Sequence, residues 1–207
     1  MAEHDGAGTL PDMARSLLAR FAGPLALAGH SMGGRIALEA CRLAPERIRG
    51  LALLDTGCHA LAAGEAGELE VRKRRALVAI AHEHGMRAML AQWILDMLAP
   101  AHMGDAALVE EIVAMMARSS AADFARQVEA LVGRPDASDV LAAIAVPTLV
   151  LCGRDDRWAG PPQHVAMARL ARASELVIVP DCGHMAPLES PAAVTQAMRA
   201  WLGKFPQ

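Results

Sequence analysis

A serine between glycines stands near the start of the chain, in the segment Gly29–Gly34, which reads GHSMGG. A serine hydroxyl is a poor nucleophile until a base accepts its proton, and that base is most often a histidine oriented by a carboxylate. The Gly-x-Ser-x-Gly pattern is weak by itself. It gains weight here because a strand-like segment precedes it and a helix-like segment follows it, the setting that exposes a strained serine for attack. We therefore interpret Ser31 as a candidate nucleophile.

Two later loops carry the groups that such a serine needs. The first reads GRDD and contains Asp155 and Asp156, and the second reads CGHM and contains His184. Each loop follows an apolar segment that is typical of a buried strand. Functional groups in α/β sheets belong at the carboxyl ends of the strands, where the loops converge. His184 is thus a candidate base, and either aspartate is a candidate for the carboxylate that orients it.

The segments around Ser31 form a strand–helix–strand unit. Residues 25–28 and 51–54 are short apolar runs, and the apolar residues between 31 and 43 recur at helical spacing. Two strands joined by a helix within about 30 residues must run parallel. A further helix is predicted to begin after Thr9, which is followed by an early proline and an acidic residue.

The middle of the chain has a different pattern. From residue 57 to 138 it is helical throughout and offers no candidate strand. Strand–helix–strand order then resumes, with strands at 148–152 and 176–179 and a last helix that begins at Ser190 and Pro191. We therefore expect an α/β fold, in which a parallel sheet with flanking helices is interrupted by an all-helical insertion. The periodic stretches of that insertion are residues 76–84, 86–98, 107–118 and 121–132.

The motifs GHSMGG, PTLVLCGRDD and DCGHMAP together make the sequence resemble the α/β-hydrolase fold superfamily, in its serine-nucleophile branch with a helical cap. The resemblance extends from about residue 9 to the end of the chain. It implies an α/β-hydrolase core formed by residues 1–56 and 139–207, and a helical cap formed by residues 57–138. It implies no cofactor.

The resemblance also assigns roles to particular residues. Ser31 matches the nucleophile, His184 the base and Asp156 the acid, while the backbone N–H of Met32 matches one donor of the oxyanion hole. Asp155 is a reserve for the acid. Asp55 is a second reserve, because some relatives place the acid at the end of the preceding strand.

These roles imply a serine hydrolase that acts on a small carboxylic ester or a related acyl compound through an acyl-enzyme. An acyltransferase and a carbon–carbon hydrolase share the same three residues, and the sequence does not choose between them. The alternative from another class is a catalytically impaired hydrolase fragment that binds a partner or a ligand without turnover.

The sequence departs from the family pattern before the serine. Only 30 residues precede Ser31, which is enough for one helix and one strand, whereas in the family the nucleophile follows the fifth strand, so four strands are unaccounted for. The sequence also contains no His-Gly-x-Gly segment, which supplies the second oxyanion donor in the family. We therefore expect an N-terminally incomplete core, in which the strand at 25–28 is an open edge that either pairs two copies as a homodimer or makes the chain prone to aggregation.

Several other residues are candidates for substrate contact or metal binding. His30, Trp93 and Met185 are the candidate substrate contacts, with ordinary packing as the alternative for each. His82 and His84 lie on different faces of a helix, so we expect no metal site there.

Composition and charge exclude several classes of protein. The net charge is −3, with 20 lysine and arginine residues spread along the chain, which argues against nucleic-acid binding. The longest apolar run is broken by Pro147 and is shorter than the about 18 residues needed to span a bilayer. The four cysteines show no C-x-x-C spacing and are expected to be buried, reduced thiols. We expect a cytoplasmic protein that binds neither nucleic acid nor membrane.

Overall fold

The computed structural model describes residues 6–205, and its centre is a four-stranded parallel sheet. The strands lie side by side in chain order, and each pairs in parallel with the next. Because parallel strands end at the same edge of a sheet, the loops after them converge there. The strands are β1 (Leu25–His30), β2 (Ile48–Leu54), β3 (Thr148–Gly153) and β4 (Ser174–Val179).

Helices cover both faces of this sheet and form a second group between β2 and β3. In the described part of the chain they are, in order, α1 (Leu10–Arg20), α2 (Met32–Leu43), α3 (Glu65–His84), α4 (Met86–Trp93), α5 (Ala106–Met116), α6 (Ala121–Val132), α7 (Ser138–Ala143), α8 (Pro161–Leu170), α9 (Ala186–Glu189) and α10 (Pro191–Leu202). Short 3-10 turns lie at Pro45–Arg47, Ile94–Asp96 and Pro100–His102.

The central strands β2 and β3 are apolar along almost their whole length because both of their faces are covered. Leu51, Leu53 and Val150 pack on one face, against α2, α7 and α8. Leu54 and Leu151 pack on the other face, against α10. The expected α/β fold with a parallel sheet is thereby confirmed.

The helices between β2 and β3 have an apolar cluster of their own, separate from the two that cover the sheet. Met89, Leu90, Ile112 and Phe124 are at its centre, and Met185, which follows β4, also packs into it. We call α3 to α6 with the intervening turns the helical layer. The helical layer contacts the sheet domain beside His184. The division at residues 57 and 138 stays a prediction.

Several local expectations are confirmed and others are refined. Thr9 caps α1 by accepting the N–H of Asp12 at 3.2 Å, as the pattern predicts. The cysteines are free and buried. The short helices α7 and α9 were not among the predicted elements, since six and four residues are too few to show a helical period. In the described residues, no helix is both long and apolar enough to cross a bilayer.

The edge of the sheet at β1 is open in the part of the chain that is described. β1 pairs with β2 on one side, and the structure gives it no second neighbouring strand among residues 6–205. Leu25 and Leu27 face the core, whereas Ala26 and Ala28, on the opposite face, are exposed.

Candidate active site

The turn between β1 and α2 holds Ser31 in a conformation that few residues adopt. Its backbone has φ 52° and ψ −119°, a region that costs a non-glycine residue about 1–3 kcal/mol. Two hydrogen bonds fix this turn to the neighbouring strand: the N–H of Ser31 donates to the carbonyl oxygen of Leu54 at 2.9 Å, and the hydroxyl of Thr56 donates to the carbonyl oxygen of Ser31 at 2.6 Å. The strain is thus held by contacts from β2 and the loop after it.

The glycines around Ser31 differ in how tightly they are packed. A Cβ on Gly29 would lie 2.3 Å from the carbonyl oxygen of Gly33, and one on Gly34 would lie 2.5 Å from Cγ2 of Thr56. A Cβ on Gly33 itself would meet no atom within 4 Å. The sequence pattern marks Gly29 and Gly33 as the flanking pair, but packing requires glycine at 29 and 34.

The structure brings Ser31, His184 and Asp156 together in one hydrogen-bonded line. Nε2 of His184 lies 2.9 Å from Oγ of Ser31, and its Nδ1 lies 2.9 Å from Oδ2 of Asp156. A carboxylate only accepts hydrogen bonds, so Nδ1 carries a proton and Nε2 of the neutral ring is left to accept from the serine hydroxyl. His184 and Asp156 are buried, whereas Ser31 is half-buried.

Asp156 is held as an anion by the loop that carries it. Burial opposes its ionisation, but the hydrogen bond to His184 and the N–H groups of Trp158 and Ala159 outweigh burial and lower the pKa of this carboxyl. Those two amides donate to Oδ1 at 2.8 and 3.0 Å, which leaves Oδ2 for the histidine.

The two reserve aspartates occupy other positions. The N–H of Asp155 donates to the carbonyl oxygen of Cys182 at 2.8 Å, and His184 contacts Asp156 instead. Asp55 is fully buried, with Oδ1 accepting from the N–H of Gly153 at 2.9 Å. Burial raises the pKa of Asp55 well above its ordinary value. Asp55 therefore supports the loop before Asp156 as a buried polar group.

His30 is not one of the three hydrogen-bonded side chains, but it contacts the backbone of His184. Its Nε2 donates to the carbonyl oxygen of His184 at 2.7 Å and lies 3.6 Å from Oδ2 of Asp55. Burial and the neighbouring His184 lower the pKa of His30 to about 4, so its ring is neutral near pH 7. A neutral ring whose N–H is already used is better placed to hold His184 than to bind a substrate.

An aromatic wall leads from His184 to the helical layer. The ring of Trp158 lies 4.8 Å from the ring of His184, and Trp93 stacks on Trp158 at 5.1 Å. Phe124 packs edge-on against Trp93 at 5.6 Å. Trp158 is 39% exposed, so part of this residue stays accessible to a molecule that approaches His184. Trp93 was a candidate substrate contact from the sequence, and Trp158 is its neighbour in space.

The remaining candidates lie apart from the line or are buried. Met185 is only 6% exposed and packs with the helical layer. His82 and His84 are exposed on α3. Within the described residues, no three or more histidine, cysteine, aspartate or glutamate side chains are arranged to hold a metal ion. Met32 begins α2, where the first N–H groups of a helix have no partner within the helix.

Sequence reasoning missed three residues that the structure places around Ser31 and His184. Thr56 and Trp158 have been described, and Glu189 lies at the end of α9. Trp158 stands two residues after Asp156, so its nearness to the acid was a readable signal. Thr56 and Glu189 carried no such signal in the sequence, because the spacing of residues along the chain does not show which backbone groups they contact in the folded protein.

Comparison with known proteins identifies the family to which the chain belongs. The sequence profile described as "Alpha/beta hydrolase family" matches residues 2–197. The chain is 31% identical, over 183 residues, to 2-succinyl-6-hydroxy-2,4-cyclohexadiene-1-carboxylate synthase of Serratia proteamaculans (strain 568), covering 85% of this chain and 67% of that protein. It is 28% identical, over 183 residues, to the dihydrolipoyllysine-residue acetyltransferase component of the acetoin cleaving system of Pseudomonas putida, covering 86% of this chain and 45% of that protein.

A solved structure is similar across nearly the whole chain. A thermophilic esterase from Thermogutta terrifontis superimposes with a TM-score of 0.85 at 31% identity, covering 95% of this chain and 72% of that one. The chain spans between 45% and 67% of the length of the two curated relatives named above. The parallel sheet, the helices around it and the profile match agree, and the chain belongs to the alpha/beta hydrolase family.

Proposed function

We propose that the protein is a serine hydrolase that cleaves a carboxylic ester or a related acyl bond. The observation that carries this proposal is the hydrogen-bonded line from Ser31 through His184 to Asp156, with both distances at 2.9 Å. The strained backbone of Ser31 and the pKa-lowering environment of Asp156 support it. That combination supplies a nucleophile, a base and an anion that orients the base.

The proposed reaction begins when Oγ of Ser31 attacks the carbonyl carbon of the ester. The hydroxyl proton passes to Nε2 of His184, and the carboxylate of Asp156 stabilises the imidazolium that results. When the tetrahedral intermediate collapses, His184 returns that proton to the departing alcohol, and the acyl group stays on Ser31. Water then attacks the acyl-enzyme with the same proton transfer through His184, which releases the acid and restores Ser31.

The charge that develops on the carbonyl oxygen needs hydrogen-bond donors. The N–H of Met32, at the N-terminus of α2, is the donor that we assign, because the helix dipole also favours negative charge there. A second donor stays unassigned. Removing one such donor costs about 2.7–4 kcal/mol of transition-state stabilisation, so the rate depends strongly on which groups reach the carbonyl oxygen.

The aromatic wall of Trp93 and Trp158 suggests what kind of substrate this site takes. An exposed indole 4.8 Å from the ring of His184 offers a flat apolar surface beside the reacting atoms. We assign the apolar acyl or alcohol group of a small ester to this surface, since aromatic side chains offer a large apolar area for a ligand to bury. On this assignment, Trp158→Ala raises KM for p-nitrophenyl butyrate more than for p-nitrophenyl acetate.

The test is turnover of short p-nitrophenyl esters by the protein and by Ser31→Ala. We expect hydrolysis that Ser31→Ala abolishes, and covalent labelling of the serine by a fluorophosphonate that the variant also loses. Labelling and turnover that survive in Ser31→Ala would place the nucleophile elsewhere. Circular dichroism of the variant checks that its fold is unchanged.

Two outcomes would favour the alternatives. Labelling of Ser31 without turnover of any ester would favour an impaired hydrolase that acts as a binding module. Faster release of the acyl group to an added alcohol or thiol than to water would favour an acyltransferase, the activity named for the Pseudomonas putida relative.

A further inference from the structure

A second buried carboxylate lies beside His184, and the line of three residues does not include it. Glu189 ends α9, five residues after His184, and its side chain has no exposed surface. Burying an anion is costly unless hydrogen bonds replace the water that it loses. Glu189 must therefore find donors within the protein.

The two oxygens of Glu189 face different parts of the fold. Oε1 accepts the N–H groups of Gly183 and Met185, each at 3.0 Å. These two amides lie on either side of His184, so one oxygen holds both ends of the residue that carries the imidazole. Glu189 therefore holds the backbone around His184, whereas Asp156 holds its imidazole ring.

The other oxygen reaches the segment after α4. Oε2 accepts the N–H of Ala99 at 2.8 Å and lies 3.1 Å from Nδ1 of His102. A carboxylate accepts only, so Nδ1 of His102 is the donor in that contact. One carboxylate thus joins the loop of His184 to residues 97–102 of the helical layer.

Direct backbone contact supports the same connection. The N–H of His184 donates to the carbonyl oxygen of Met97 at 2.7 Å. A Cβ on Gly183 would lie 2.5 Å from that same oxygen, so only glycine lets the two chain segments approach this closely. The position of His184 therefore depends on where residues 97–102 lie.

We propose that Glu189 is a positioning residue, which fixes the backbone of His184 and couples it to the helical layer through Ala99 and His102. The inference rests on the proposed function only in that His184 is the base. A shift of about 1 Å in the base is enough to slow an enzyme about 100-fold, so a contact that fixes its backbone affects the rate.

Glu189→Gln separates the two halves of the contact. Its amide oxygen still accepts from Gly183 and Met185, but its NH₂ group then faces the N–H of Ala99, where two donors oppose each other. We expect kcat for p-nitrophenyl butyrate to fall about 10- to 100-fold while KM changes less than about threefold. We also expect a shifted proton resonance for Nδ1–H of His184, which reports its hydrogen bond to Asp156.

Two further variants make the result decisive. Glu39→Gln alters another buried glutamate, which lies on α2 and contacts Arg42, so it controls for the general cost of removing a buried charge. It should leave kcat and the His184 resonance unchanged. His102→Ala removes one donor to Oε2 and keeps the three amides, so it should lower kcat by about two- to fivefold and shift the resonance slightly, and it carries the test if Glu189→Gln does not fold.

The outcomes that overturn the inference are distinct from those that overturn the proposed function. An unchanged kcat and an unchanged His184 resonance in Glu189→Gln, or an equal fall of kcat in Glu39→Gln, would show that Glu189 serves stability alone. If kcat and the resonance are likewise unchanged in His102→Ala, the coupling to the helical layer does not run through His102. If the unaltered protein hydrolyses no ester and Ser31 is not labelled, the proposed function fails, but the resonance still decides whether Glu189 positions His184.

Discussion

The hydroxyl of Thr56 donates a hydrogen bond to the carbonyl oxygen of Ser31 at 2.6 Å, although the two residues are 25 positions apart in the chain. The side chain of Thr56 also fills the space beside Gly34, where a Cβ would lie 2.5 Å from its Cγ2. A residue after β2 thus fixes the strained turn after β1, and the geometry of Ser31 depends on both strands.

Gly34→Ala should destabilise the protein, because the added methyl group meets the short, stiff side chain of Thr56. Overpacking of this kind costs about 1–3 kcal/mol. Gly33→Ala is the matched control, since its Cβ would meet no atom within 4 Å, and it should be neutral or stabilising by up to about 1 kcal/mol. Urea denaturation measures both variants, and an equal effect at the two positions would contradict the packing at Thr56.

Asp156→Asn should lower kcat by about 10⁴-fold if the proposed function holds. The asparagine oxygen can still accept from the amides of Trp158 and Ala159, but its NH₂ group then donates to Nδ1 of His184. The ring proton is thereby forced onto Nε2, which can no longer accept from Ser31. Steady-state kinetics of p-nitrophenyl ester hydrolysis measures the loss. Asp155→Asn is the control and should keep the rate within about threefold, whereas a larger fall there than at 156 would make Asp155 the acid.

His30 predicts how stability depends on pH. Its pKa is about 4 in the folded protein and about 6.5 in the unfolded chain, so both states are neutral above pH 6.5. Between pH 6.5 and pH 4 the unfolded state binds a proton that the folded state does not, and the free energy of unfolding falls by about 3 kcal/mol from this group. Buried His164, whose pKa is also lowered, adds to the fall.

The check on His30 is urea denaturation at a series of pH values. His30→Gln can still donate to the carbonyl oxygen of His184 but does not titrate, so it should weaken the pH dependence between pH 6.5 and 4. His84→Gln, at an exposed position on α3, should leave that dependence unchanged. A His30→Gln curve parallel to that of the unaltered protein would show that His30 accepts a proton as readily in the folded state.

We propose that two copies of the chain associate through β1. The strand has one partner in the described residues, and its outer edge presents unpaired backbone groups between the exposed Ala26 and Ala28. Sedimentation velocity should show a dimer, or larger species, at tens of micromolar. Ala26→Lys should shift the protein toward monomer because a charged side chain opposes edge pairing.

Leu69→Lys, at an exposed position on α3, is the control for added charge and should leave the association unchanged. A stable monomer of the unaltered protein at the same concentration would show that the edge of β1 does not mediate pairing.

Much of the fold follows from the sequence by local rules. Apolar runs such as residues 51–54 predict strands buried on both faces, and the capping pattern at Thr9 predicts the start of α1. Because parallel strands end at one edge, the sequence also predicts that Ser31 and His184 lie near each other, although 153 positions separate them. These features were readable because each depends on a period, a cap or the direction of a strand.

The tertiary structure decided what depends on exact approach between distant segments. The residue types alone left Asp155 and Asp156 as neighbours with equal chemistry, and only the family resemblance favoured Asp156. In the structure the path of the loop turns Asp156 toward His184. Thr56 and Glu189 have no local signal for their roles, because their hydrogen bonds to Ser31 and to the backbone on either side of His184 depend on segments that the fold alone brings together. The sequence by itself determined which residue types stand at the carboxyl edge of the sheet. Their orientation, spacing and protonation are properties of packing, since burial and hydrogen bonds set both the position and the pKa of each group.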